Sequence, residues 1–151
     1  MKYQKYLLPH FDTFAYCLIP THFYFLVRIK TNSISEIQNA VGVLQSSYTK
    51  ALNNAIGRHG SLFQNHTKAK HIEDETYLLT LIIYIHQNPV RSGLVEGQKD
   101  WEFSSYRAYT GIGDLSSSSI VSPEIIAEVF PDPHRFREFS DSMIQFYDSR
   151  F

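Results

Sequence analysis

The stretch "LTLIIYIHQNPVRSGLV", residues 79–95, begins with packing residues and ends its helical run with a phenol, an imidazole and two amides. Tyr84 and Asn88 are four apart, so on a helix they share a face. His86 is two positions from Tyr84 and points elsewhere. A tyrosine can serve as a covalent nucleophile, and an amide oxygen can bind a hard metal ion. One helix does not make a site, so partners must come from another element. The segment "THFYF" offers them: on a strand, His22 and Tyr24 alternate onto one face, with Phe23 and Phe25 on the other. A His-x-His pair there would hold a metal with two imidazoles, but here the second is a phenol. Taken singly, each residue has a plainer reading. Tyr84 would be packing, Asn88 a helix-ending residue before Pro89, and His22 a hydrogen-bonded, half-buried histidine.

The elements that must position these groups follow from patterning. "FDTFAYCLIP" and "THFYFLVRIK" are aromatic and β-branched runs broken at Pro20 and Thr21, which predicts adjacent strands with a tight connection. Ile37, Val41, Leu44, Tyr48, Ala51 and Ile56 recur at helical spacing. They predict a helix over 34–56, with Ser33 or Ser35 as N-cap and Gly57 as its stop. Residues 62–72 read as extended. The next helix is expected from 75 to about 88, with Asp74 as N-cap and Pro89 ending it, since proline disfavours helical geometry in the residue before it. "WEFSSYRAYTG" is an aromatic segment and "GDLSSSSIVSP" a flexible loop. "PEIIAEVF" and "DPHRFREFSDSMIQFYDS" predict two closing helices.

The bulk properties fit one compact domain. Residues 1–111 are expected to carry the motifs, with 112–151 a C-terminal loop and helices packed on the same domain. The chain has 151 residues, 43% of them hydrophobic, and a net charge of −1, so no global basic field advertises nucleic acid. The lone Cys17 excludes an internal disulfide. No apolar run reaches the roughly 20 residues of a membrane span, and the N-terminus lacks the apolar core of a signal peptide. A cytoplasmic location is expected.

The motifs "AYCLIPTHFYFLV", "RHGSLFQ", "YLLTLIIYIHQNPVRSGLV" and "WEFSSYRAYTG" occur in an order that resembles the REP-associated tyrosine transposases. These are single-tyrosine transposases of the His-hydrophobic-His superfamily. The resemblance covers roughly residues 6–111, and "YIHQNPVRSGLV" and "SSYRAY" are its most specific parts. It implies an α+β, ferredoxin-like antiparallel sheet with helices on one face. The His pair would lie on a central strand and the nucleophile on a helix facing it. It further implies that Tyr84 is the nucleophile, that His22 and Asn88 hold Mg²⁺ or Mn²⁺, and that the protein cleaves and rejoins single-stranded or hairpin DNA through a 5′-phosphotyrosine intermediate.

This sequence departs from the family pattern at two places. Tyr24 stands at the second metal histidine, where a neutral phenol is a poor ligand. The family's first strand is absent before Lys2, which would leave a sheet edge exposed and raises a homodimer that lends a strand. Arg58, Lys68, Lys70, Arg91 and Arg107 stand beside the motifs as phosphate contacts. Two other readings compete with transposition. One is a DNA-binding module of the same fold with a degenerate metal site. The other is an RNA-binding sheet that stacks bases on Tyr16, Tyr24 and Phe25. A zinc hydrolase ranks last, because neither a His-Glu-x-x-His spacing nor a cysteine pair is present.

Overall fold

The computed structural model describes residues 2–64, 67–74, 76–112 and 120–143, and most of the loop expected before Pro123 lies outside them. The fold is α+β. A short helix α1 (Lys2–Tyr6) leads into the hairpin of β1 (Phe11–Ile19) and β2 (His22–Ile29). The helices α2 (Ile34–Ile56) and α3 (Thr76–Arg91) follow. A 3-10 turn at Gln98–Asp100 precedes α4 (Tyr106–Thr110), α5 (Pro123–Val129) and α6 (Pro133–Ser142). The two-residue connection at Pro20 and Thr21 makes the strands antiparallel. No described helix is long and apolar enough to cross a membrane.

Strand order corrects one expectation. Among the described residues the sheet is β1 and β2 alone. The free edge of β1 is continued by one bridge, Cys17 to Ser104, with Leu18 N donating to Phe103 O (2.8 Å) and Ser105 N to Tyr16 O (3.0 Å). The inner strand is therefore β1. His22 and Tyr24 lie on an outer strand, not a central one.

The chain divides into two compact units, interleaved along the sequence. The first comprises residues 1–11 and 29–71. Its main element is α2, whose bounds match the periodicity. Ser33 Oγ accepts from Glu36 N, and Gly57 takes the left-handed conformation (φ 65°) that closes the helix. The expected apolar stripe is not a buried one, however. Tyr48, Ala51 and Ile56 are exposed, and only Ala40 is buried. Lys2 fastens α1 to α2 by donating to Ser47 O (2.8 Å) and Ser47 Oγ (2.7 Å). Residues 62–72 form no strand among those described.

The second unit, residues 12–28 and 72–151, holds most of the core. Its centre is an aromatic cluster. Phe136 on α6 is fully buried, stacks on Tyr109 (4.8 Å between centroids) and meets Phe130 edge-on (5.5 Å). His86 inserts its imidazole among Tyr106, Tyr109 and Phe136, with centroids 5.4–6.0 Å away. The imidazole also bonds to Ser105 Oγ (2.6 Å), which accepts from Tyr16 N (2.9 Å). Next to it, Gln87 Nε2 donates to Ser140 O (3.2 Å) and Ser140 Oγ to Gln98 Oε1 (3.0 Å). His86 and Gln87 of the "YIHQNP" motif are thus core residues, tied to the "SSYRAY" motif and to α6.

Helix α3 does not stop before Pro89. It continues to Arg91 and closes at Gly93 (φ 67°), where Leu94 N donates to Pro89 O and Gly93 N to Val90 O, both 2.9 Å. Proline cannot donate to the carbonyl four residues back, Ile85 O. The Asn88 amide packs against this stretch: its Nδ2 donates to Tyr84 O at 2.9 Å and lies 3.5 Å from Ile85 O. The helix thus runs through a proline that local geometry would have it end before.

The buried imidazole makes stability depend on pH. Burial lowers the His86 pKa to about 3, against 6.5 for a free imidazole. Between these values the unfolded chain binds the extra proton, so the contribution is complete above about pH 6.5 and declines as pH falls. Lowering pH from 7 to 5 is expected to cost at most about 2 kcal/mol through this residue, at about 1.4 kcal/mol per unit. Urea unfolding of wild type and His86→Asn at both pH values checks this. An equal loss in the two proteins would assign the pH dependence elsewhere.

Candidate active site

The residues singled out for chemistry all fall in the second unit. On β2, the His22 and Tyr24 rings stack with centroids 6.3 Å apart and planes 18° apart, as side chains on one face of a strand do. His22 is exposed, and its Nδ1 bonds to Thr21 Oγ1 (2.8 Å), which leaves Nε2 as its outward nitrogen. Tyr24 is half-buried. Its pKa is raised by burial first, then by the nearby phenol of Tyr84 and by Cys17. His22 and Tyr24 thus share one face of β2, and Tyr84 stands on α3.

Tyr84 is half-buried on α3, between the buried residues Ile83 and Ile85. The Arg91 guanidinium lies 5.3 Å from the centre of its ring. Two turns of helix separate the pair, so the cation sits on the same face as the phenol. Asn88 is 6% exposed, and its amide nitrogen is engaged with the helix backbone, leaving Oδ1 for any ligand. Cys17, behind Tyr24, is fully buried with its pKa pushed up to about 12 by burial, which keeps it a neutral thiol.

The fit of a hard divalent ion can be tested on these donors. His22 offers one nitrogen, Asn88 one amide oxygen and Tyr24 a neutral phenol. Mg²⁺ and Mn²⁺ prefer oxygen ligands that include a carboxylate. No group of three His, Cys, Asp or Glu that could hold a metal occurs among the described residues. The set is incomplete for a tightly held ion.

The expected phosphate contacts are dispersed. Arg91 stands at Tyr84. Arg107 is in the second unit, its Nε donating to Lys99 O (3.0 Å). Arg58, Lys68 and Lys70 are in the first unit. Arg58 braces a loop, with Nη1 donating to Asn53 Oδ1 (3.1 Å) and Nη2 to Ser61 O (2.8 Å). Lys68 and Lys70 are exposed. The alternative stacking platform does not form. Tyr16 and Phe25 stack on each other (6.0 Å), while Tyr24, the neighbour of Phe25, lies on the opposite face.

Sequence reasoning turned His86 away from the Tyr84 face but gave it no role. Its partner Ser105 and its neighbour Phe136 are distant in sequence, and no local spacing announces them.

No family model matches the chain. A protein of Haemophilus influenzae assigned by name to the REP-associated tyrosine transposases is 29% identical over 105 residues, 64% of this chain. The chain spans 59% of that relative's length. A solved REP-associated tyrosine transposase, bound to a REP hairpin, superposes with a TM-score of 0.53 at 18% identity. That match covers 80% of this chain and 73% of the solved one. In sequence and in fold, this chain is similar to the REP-associated tyrosine transposases.

Proposed function

We propose that the chain binds single-stranded or hairpin DNA and that Tyr84 attacks the DNA strand, as in transposition. The observation that carries this reading is the grouping at α3. There a half-buried phenol has a guanidinium 5.3 Å from the centre of its ring. Arg91 would meet the scissile phosphate and offset the charge that develops on its oxygens. The Tyr84 oxygen bonds to phosphorus as the bond to the 3′ oxygen breaks. The phenol gives up its proton and the 3′ oxygen gains one. The products are a 5′-phosphotyrosine and a free 3′ hydroxyl. Attack by another 3′ hydroxyl reverses the step and rejoins strands without further energy input.

A divalent ion, if used, would rest on His22 Nε2 and Asn88 Oδ1. With Tyr24 neutral, these two donors bind it weakly. The hairpin bound to the solved structure is the reason to expect a folded strand here. Both relatives are REP-associated tyrosine transposases, and the solved one holds a REP hairpin.

The test is fluorescence anisotropy with a labelled hairpin carrying a single-stranded flank, against a random duplex of equal length, at two salt concentrations. The hairpin should bind about tenfold more tightly, and log K should fall with log salt by about 0.7–0.9 per phosphate contacted. Equal affinity for the two DNAs would count against the reading, as would no binding at low salt.

A further inference from the structure

The near-neutral charge of the chain conceals a division. The first unit carries seven lysines and arginines against one carboxylate, Glu36, whereas the second carries seven against fourteen. Within the first unit, a groove of about 730 Å³ opens between the C-terminal half of α2 and the "RHGSLFQ" loop. Lys50, Arg58 and His59 line it together with Asn54, Phe63 and Gln64, and no carboxylate does. Glu36 is about four turns of helix from Lys50, some 20 Å along the axis.

The groove is preformed. Arg58 is held by Asn53 and Ser61, Asn53 Nδ2 donates to Gly60 O (2.9 Å), and Ser61 Oγ to Phe63 O (2.7 Å). Gly60 turns the loop at φ 90°, a conformation that side-chain-bearing residues rarely adopt. Phe63 is half-buried with its ring 6.2 Å from that of Tyr48. Lys50, Asn54 and His59 are exposed and have no hydrogen-bond or ion-pair partner among the described residues.

We propose that this groove is a single-stranded DNA site that holds one or two unstacked nucleotides. Lys50 and His59 take phosphate oxygens, Phe63 meets a base, and Asn54 and Gln64 reach base edges. The volume falls within the range of small-ligand sites. Cations, amides and an aromatic ring in one concavity are the chemistry of single-strand rather than duplex binding. Arg58 is occupied in shaping the loop, so it acts as a positioning residue. The inference rests on the reading of the chain as a DNA-binding protein, but it puts single-strand contact in a different unit from Tyr84.

The experiment measures binding of a short oligothymidylate to the full chain by anisotropy across a salt series. Lys50→Ala/His59→Ala is expected to weaken binding about tenfold and to lower the salt slope by about 1, with an unchanged melting curve because both residues are exposed. Lys99→Ala, at an exposed cation of the second unit, should leave oligothymidylate affinity within about twofold. Binding that is kept in the double variant would overturn the groove and leave the proposed function standing. Binding that is lost in the double variant, with no strand cleavage by the wild type, would uphold the groove and remove the strand-attack reading. No oligothymidylate binding at all, or tighter binding of oligouridylate through the same residues, would overturn the DNA assignment.

Discussion

Truncating Phe136 to alanine is expected to lower the unfolding free energy by about 3–5 kcal/mol, the cost of removing a large aromatic from a packed interior. Phe136 is fully buried, and its ring meets Tyr109, Phe130, Tyr106 and His86 at centroid distances of 4.8–6.3 Å. The surrounding rings are themselves fixed. Tyr109 donates its hydroxyl to Phe14 O (2.8 Å), and His86 is bonded to Ser105. Such neighbours cannot collapse into the space left behind, so the cavity term should be near its upper end. Phe139 provides the contrast: it stacks on Phe130 but is 38% exposed, and Phe139→Ala should cost less than about 1 kcal/mol. Urea denaturation of both variants decides the matter. A loss below 1 kcal/mol for Phe136→Ala would show that the cluster is not the core.

That cluster also explains how much of the fold the sequence revealed. The bounds of α2 were legible because Ser33 and Gly57 act locally, through a side-chain cap and a left-handed turn. The hairpin was legible from two β-branched runs and a break. The end of α3 was not. The rule that a helix stops before proline is a local preference, and α3 continues past Pro89 to close at Gly93 instead. The weight of α6 was also hidden, since Phe136 acquires its meaning only from residues 27 to 50 positions earlier in the chain. Apolar periodicity on α2 predicted burial that the structure withholds from Tyr48, Ala51 and Ile56.

The candidate site was legible in a different way. Spacing alone put Tyr84 with Asn88 and His22 with Tyr24, and the structure stacks the His22 and Tyr24 rings and bonds the Asn88 amide to Tyr84 O. Spacing did not give Arg91 its place against the Tyr84 ring, although two helical turns separate them on one face. Nor could net charge reveal the basic unit, because the two units alternate along the chain and their charges cancel in the sum.

The most direct measurement is a denaturing gel of labelled single-stranded hairpin DNA incubated with wild type, Tyr24→His and Tyr24→His/Tyr84→Phe in the presence of Mn²⁺. In our proposal a second imidazole at position 24 would complete a three-donor set with His22 and Asn88; the phenol that stands there is kept neutral by burial. Tyr24→His should therefore raise Mn²⁺ affinity at least tenfold, read separately by calorimetry, and increase the covalent adduct over wild type. Tyr84→Phe removes only the attacking oxygen. In that background it should abolish the adduct, by a factor above about a thousand, while DNA affinity stays within about threefold. An adduct that survives Tyr84→Phe would contradict the assignment of Tyr84 as the strand-attacking residue, as would the absence of any adduct from wild type and Tyr24→His alike.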